Sequence, residues 1–301
     1  MDLKKLETER RNKNTMDLDT KSTEDILYAI NNEDQKIPDV VRGCIGQIST
    51  LVDASFERLN KGGRIFYIGA GTSGRLGVLD ASECPPTYGV SFECIQGLIA
   101  GGYDALLKAK EGAEDDLTLA KKDLIERNFG PNDTLIGLAA SGRTPYVIGG
   151  LQYANEIGAL TGSISCVSNA EISKYATYPI EAITGPEVVT GSTRMKAGTC
   201  QKLILNMIST SLMIKYGKVY QNLMVDVQPT NEKLVIRACR IISEATGCSQ
   251  EEAKIYLEKS HHQVKLAIVM YLTQKELDEC QTILNNHHGN VSQTIHTLLK
   301  G

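Results

Sequence analysis

No two of the eight cysteines (44, 84, 94, 166, 200, 239, 248 and 280) stand as a C-x-x-C pair. Several lie inside apolar runs, so they are expected to be reduced core residues. Positive charge is not in excess either: the net charge is −4, which leaves no basic footprint for nucleic acid. The first twenty residues are charged and polar, without the apolar core of a signal peptide. No apolar run reaches the roughly 18 residues that a membrane span needs. These absences point to a cytoplasmic protein that binds neither membrane nor nucleic acid. Histidine is missing from most of the chain, since all five copies (His261, His262, His287, His288 and His296) fall near the end. None is well placed for a serine-type triad.

What remains is an ordinary globular composition, 42% hydrophobic and 23% charged over 301 residues, enough for about two domains. The chain is organised around RIFYIGAGTSGRLG, residues 64–77. An apolar strand from Ile65 to Ile68 runs into a glycine turn and the start of a helix. Gly69, Gly71 and Gly74 allow sharp bending and close approach of a ligand to the backbone. Thr72 and Ser73 place two hydroxyls among the N–H groups of a helix N-terminus, where the helix dipole favours an anion. The same glycines satisfy G-x-G-x-x-G, and Glu93 follows about 20 residues later, so a dinucleotide site is the competing expectation. An ordinary tight turn is the third.

A second strand-to-helix loop bears on that choice. Thr134 to Ala139 is an apolar strand, followed by Ala140-Ser141-Gly142-Arg143-Thr144-Pro145, which echoes Ser73-Gly74-Arg75. Two hydroxyl-bearing loops at the ends of neighbouring strands suit one phosphorylated sugar better than a dinucleotide, which uses one glycine loop and an acidic ribose clamp. Neither loop carries the lysine of a P-loop. Further strands are expected at Phe92 to Ile95, Gly162 to Val167 and Ile180 to Ile183, with a helix from Pro145 to Ile157. Strands alternating with helices predict a parallel sheet covered on both faces.

Elsewhere the pattern is helical. Residues 1–35 form a polar arm with one helix from Ser22, solvated on composition alone. Apolar residues at helical spacing predict a single amphipathic helix from Ile37 to Asn60. A short helix from Arg75 to Ser82 is expected to stop at Pro85-Pro86, which leaves Glu83 close to the glycine loop. The acidic run Glu111 to Asp116 reads as charge compensation at a helix N-terminus. In GPEVVTGSTRMKAGTCQKLILN, residues 185–206, Gly191-Ser192-Thr193 caps a long helix to about Tyr216. Arg194 and Lys196 there are equally readable as charges near a bound anion and as surface cations. From Asn231 on, helices are broken at Gly247, Ser260 and Gly289. A loose repeat pairs Leu257, His261, His262, Val264 and Ile268 with Leu284, His287, His288, Val291 and Ile295, which makes the paired histidines turn residues rather than metal ligands. The expected division is 1–35 as the arm, 36–230 as a phosphosugar-binding α/β domain, and 231–301 as a helical region.

Taken together, GAGTSGR, ASGRT and GPEVVTGSTRMKAGTCQKLILN make the chain resemble the N-acetylmuramic acid 6-phosphate etherases, which share a sugar-isomerase-type fold with the glucokinase regulatory protein of animals. The resemblance runs from Leu6-Glu7-Thr8-Glu9 to the terminal helices, and LDASECPPTYG and KEGAEDD match the family's two acidic motifs. The His261-His262 turn is its least family-like spot. The resemblance implies a five-stranded parallel sandwich, small helical units at the C-terminus, and a homodimer. It implies a lyase of amino-sugar metabolism and peptidoglycan recycling, acting on a phosphorylated amino sugar without metal or redox cofactor. The ether of N-acetylmuramic acid 6-phosphate would be cleaved to N-acetylglucosamine 6-phosphate and D-lactate. It transfers the catalytic acids to Glu83 and Glu114, against the plain compensation reading of the latter. Gly71, Thr72, Ser73, Gly74, Arg75, Ser141, Gly142, Thr144, Ser192 and Thr193 become the substrate-binding candidates. A non-catalytic phosphosugar-sensing regulator and a phosphosugar isomerase are the alternatives.

Overall fold

The computed structural model describes residues 7–108, 110–227, 229 and 231–300. Ser22 caps helix α1 (Thr23–Asp34) by accepting from the Asp25 N–H. The long helix expected next is two helices, α2 (Ile37–Gly43) and α3 (Ile45–Asn60), separated at Cys44. Strand β1 (Ile65–Gly69) and helix α4 (Gly71–Tyr88) follow, then β2 (Ile95–Ile99), α5 (Leu119–Glu126), β3 (Thr134–Leu138) and α6 (Pro145–Glu156). Strands β4 (Leu160–Ser165) and β5 (Tyr178–Glu181) precede helix α7 (Lys196–Lys215).

The five strands pair in parallel, in the order β2-β1-β3-β4-β5. Every residue of β1 and β3 is buried, as expected for central strands covered on both faces. One face carries Phe66, Ile68 and Leu135 against Leu124, Val147 and Leu151 of α5 and α6. Phe66 and Phe129 meet edge to face there, 5.1 Å between ring centroids. On the other face, α3 packs against β4 and β5.

Two further expectations are corrected. Helix α4 starts at Gly71 rather than Arg75 and passes through Pro85 and Pro86 to Tyr88. Proline fixes φ near its helical value; it gives up its own N–H bond and crowds the turn before it, but its carbonyl can still accept and close a last turn behind it. Here the Gly89 N–H closes that turn on the Pro85 carbonyl at 2.9 Å. The polar arm is not solvated either. Thr8, Asn12 and Thr15 are buried, and Thr15 Oγ1 donates to the Val188 carbonyl at 2.8 Å.

The chain divides into two compact units. The first holds the residues up to Ser82 together with Phe92–Ser209; the second holds Glu83–Ser91 and everything from Thr210 on. In the second, a short antiparallel hairpin of β6 (Val219–Tyr220) and β7 (Leu223–Met224) precedes five helices. These are α8 (Glu232–Thr246), α9 (Gln250–Lys259), α10 (Val264–Thr273), α11 (Leu277–Asn286) and α12 (Val291–Lys300). Ile242, Leu257, Ile268 and Leu284 lie in its core. His261, His262 and His288 sit in turns with positive φ, and His287 bonds Thr297 at 2.8 Å. The break after α10, at left-handed Gln274, has no glycine or proline to announce it.

Candidate active site

Strands β1 and β3 are neighbours with Gly69 opposite Leu138, so the two hydroxyl-bearing loops leave the sheet side by side. Behind β1 the chain turns at once into α4. The turn is so tight that a Cβ on Gly74 would lie 2.6 Å from the Gly69 carbonyl oxygen. Gly71 has φ +52°, a left-handed value that favours glycine. Thr72 is half-buried and Ser73 buried in the first turn of α4. Ser73 Oγ donates to Gln201 Oε1 at 2.8 Å.

Arg75 takes a different place from the hydroxyls. Its Nε and Nη2 donate to the carbonyls of Leu106 and Ala105, both at 2.8 Å, and so tie the segment after β2 to α4. Beyond it, Gly71, Arg75, Lys110, Gly112 and Glu114 line a cavity of about 170 Å³. Glu114 stands in a single turn of 3-10 helix (Ala113–Asp115), exposed and directed to that cavity. Glu83 is exposed as well, about three turns beyond Gly71 along α4.

Beyond β3, Ser141 and Thr144 are half-buried, and Gly142 is buried with φ +68°. Thr144 begins α6 without a side-chain cap bond, which leaves its hydroxyl uncommitted to the helix. Ser192 and Thr193 form a turn just before α7 and are half-buried. A Cβ on Gly198 would lie 3.4 Å from Thr72 Cγ2 and 3.6 Å from the Thr193 carbonyl. The Thr72 and Ser192-Thr193 segments therefore meet across the first turn of α7.

Glu187, Glu33 and Gln201 escaped sequence reasoning. The cap of α7 is neither Ser192 nor Thr193 but Glu187, whose carboxylate accepts from the N–H groups of Lys196 and Ala197, both at 3.0 Å. Burial raises the Glu187 pKa, although those two N–H bonds pull the other way. Lys196 is neither a ligand-facing nor a surface cation: it is buried and paired with Glu33 of α1 at 2.6 Å. Gln201 is fully buried behind Ser73. The available signal for Gln201 was its place one turn after Ala197 on a helix whose buried face also carries Cys200, Ile204 and Leu205. For Glu33 and Glu187 there was none. Among the described residues no group of three His, Cys, Asp or Glu side chains is arranged to hold a metal. No helix among them is long and apolar enough to cross a membrane.

Residues 47–155 match the model of the glucokinase regulatory protein N-terminal SIS domain, and 221–266 that of the C-terminal lid domain of glucokinase regulatory protein. A relative from Clostridium botulinum (strain Eklund 17B / Type B), named N-acetylmuramic acid 6-phosphate etherase, is 64% identical over 97% of each chain. The chain belongs to this etherase family. A second etherase, from Clostridium beijerinckii, is 55% identical over 98% of this chain and 97% of its own. Among solved structures, a phosphoheptose isomerase from Francisella tularensis is similar at 12% identity and TM-score 0.48, covering 64% of this chain and 100% of that one. Membership of the etherase family agrees with the parallel five-stranded sheet and its C-terminal helices, and it favours an enzyme over a sensing regulator.

Proposed function

We propose that this chain is a carbon–oxygen lyase that cleaves the D-lactyl ether of N-acetylmuramic acid 6-phosphate, giving N-acetylglucosamine 6-phosphate and D-lactate. In the ring-opened sugar the C2 hydrogen is acidic, because it adjoins the C1 aldehyde. The C3 ether oxygen is then a β leaving group. Elimination needs a base at C2 and an acid at the ether oxygen; adding water to the unsaturated aldehyde needs the same groups in reversed roles. Two carboxyl groups meet this need, with Glu114 as the C2 base and Glu83 as the acid.

The observation that carries the reading is Glu114 sharing its cavity with Gly71, the residue that opens α4. A phosphate docked on the α4 N-terminus by Thr72, Ser73 and Gly74 leaves its sugar within reach of that carboxylate. Ser141, Gly142 and Thr144 complete the phosphate cradle from the next loop, and Ser192 and Thr193 border it from α7. Arg75 shapes the cavity wall through its carbonyl bonds.

One carboxyl must stay protonated near neutral pH, and desolvation by a closing partner is the simplest means. Both glutamates are exposed in the single chain. This supports a homodimer in which a second copy covers the sugar site and brings its own Glu83 to it. Phe92, Tyr103 and Leu107, which are 74%, 81% and 88% exposed, are apolar surface for such a contact. A reaction on a phosphorylated metabolite of wall recycling supports a cytoplasmic location. The direct test is incubation with N-acetylmuramic acid 6-phosphate: D-lactate and N-acetylglucosamine 6-phosphate should form in equal amounts. Absence of lactate from folded, phosphosugar-binding protein overturns the reading.

A further inference from the structure

Ser73 and Gln201 face each other between α4 and α7, 7% and 0% exposed. In the free chain the Ser73 proton is committed to Gln201 Oε1 at 2.8 Å. The Gln201 amide nitrogen, Nε2, is buried and has no partner among the described residues. An unpaired buried N–H is rarer and less tolerable than an under-used carbonyl oxygen. A half-turn about the last bond of the amide would aim Nε2 at Ser73 Oγ and give it a partner there. The two orientations differ in what they do to the serine. With oxygen facing it, Ser73 must donate inward; with nitrogen facing it, Ser73 accepts, and its proton is free to point elsewhere.

A phosphate monoester dianion only accepts hydrogen bonds. To bind it, Ser73 must turn its single proton outward, which leaves the serine lone pairs against the Gln201 oxygen in the present orientation. We propose that Gln201 is a positioning residue for the substrate phosphate. It turns its amide nitrogen onto Ser73 when a phosphate monoester occupies the α4 N-terminus, and so fixes the direction in which the hydroxyl donates. The inference rests on the reading of Ser73 as a phosphate ligand. It adds a donor behind that ligand: with Nε2 on Ser73 Oγ, the single serine proton is left for the phosphate.

Calorimetry with N-acetylglucosamine 6-phosphate tests it on Gln201→Met, Gln201→Glu, Ser73→Ala and the Ser73→Ala/Gln201→Met double variant. An ionised carboxylate in the Gln201→Glu variant accepts only and keeps the serine proton turned inward, so this change should weaken binding about 10–100-fold. Gln201→Met, of similar length and needing no partner, should weaken it about 3–10-fold. Because Gln201 acts through Ser73, the double variant should bind no more weakly than Ser73→Ala alone. In turnover, Gln201→Met should raise KM with little change in kcat, as for a contact made equally in ground and transition states.

Should Gln201→Glu fail to fold, the Met variant and the double-variant comparison decide. Unchanged affinity in Gln201→Met, or losses that add in full to those of Ser73→Ala, overturn the inference while leaving the phosphate site intact. Unchanged affinity in Ser73→Ala overturns the phosphate reading itself, and this inference with it.

Discussion

Glu33 Oε2 and Lys196 Nζ lie 2.6 Å apart, with side chains only 5% and 2% exposed, and so join α1 to the start of α7. Lys36 adds a second bond to Glu33 at 2.6 Å from the exposed side, and Asn14 a longer one at 3.4 Å. The pair holds the N-terminal arm against the 185–196 segment, where Asn12 and Thr15 also bond the carbonyls of Pro186 and Val188. Removing one partner of such a pair strands a buried charge and typically costs about 3–5 kcal/mol. Glu33→Gln should therefore lower the urea midpoint sharply, whereas Glu33→Leu with Lys196→Met should recover much of the loss. An unchanged midpoint in Glu33→Gln would show that the pair adds nothing to stability.

The same carboxyl sets a pH dependence. Burial alone would raise the Glu33 pKa, but hydrogen bonds from Lys196 and Lys36 outweigh it and bring the value from 4.5 down to about 2. A depressed carboxylate contributes stability that is complete above its unfolded pKa and is lost as pH falls through the folded one. The unaltered chain should therefore lose stability between pH 4.5 and about 2 more steeply than Glu33→Gln does. Equal slopes in acid titrations of the two proteins would contradict this.

Glu83→Gln and Glu114→Gln keep shape and remove the titrating proton, so each should cost about 10²–10⁴ in rate. The isotopes then report the route. In heavy water the amino-sugar product should carry deuterium at C2, and in oxygen-18 water the label should enter at O3, since the C3–O bond breaks. Direct displacement at the lactyl carbon would instead label lactate and leave C2 untouched. C2 exchange without lactate release in Glu83→Gln would assign Glu83 as the acid, and the same result in Glu114→Gln would reverse the roles.

Ser73→Ala and Ser141→Ala should each weaken N-acetylglucosamine 6-phosphate, by about 10-fold or more if the hydroxyl bonds a charged oxygen. Their thermal unfolding should shift little by comparison. Calorimetry alongside melting curves separates the two effects, and phosphosugar affinity equal to that of the unaltered chain in both variants would remove the pair from the site.

Gly74→Ala tests the tight turn itself. The added methyl carbon would meet the Gly69 carbonyl at 2.6 Å and Ile99 Cγ1 at 2.7 Å, and the first of these is backbone that cannot step aside. An overpacking cost of about 1–3 kcal/mol is expected, with a weaker phosphosugar complex because α4 is displaced at its N-terminus. A denaturation midpoint equal to that of the unaltered chain would show that the turn has room to spare.

Light scattering should show a dimer at micromolar concentration. A fully active monomer would exclude the shared site.

Much of this protein was determined locally, and local chemistry is what a sequence displays. Apolar runs at Ile65 to Ile68 and Thr134 to Ala139 became central strands because only a run buried on both faces is apolar at every position. Gly69, Gly71 and Gly74 announced the turn, since few other residues allow that backbone and that closeness. GAGTSGR, ASGRT and the stretch containing STRMKAG carried the family resemblance, and the two acidic motifs matched it. The prolines misled because a proline forbids a bond to its own nitrogen but not a helix that closes behind it. Partners far apart in the chain were decided by tertiary structure alone. Ser73 meets Gln201 across 128 positions and Lys196 meets Glu33 across 163. Periodicity tells which face of an element is buried and leaves open what it is buried against. Whether a lysine in a binding motif faces a ligand, the solvent or a buried carboxylate depends on what the fold brings beside it.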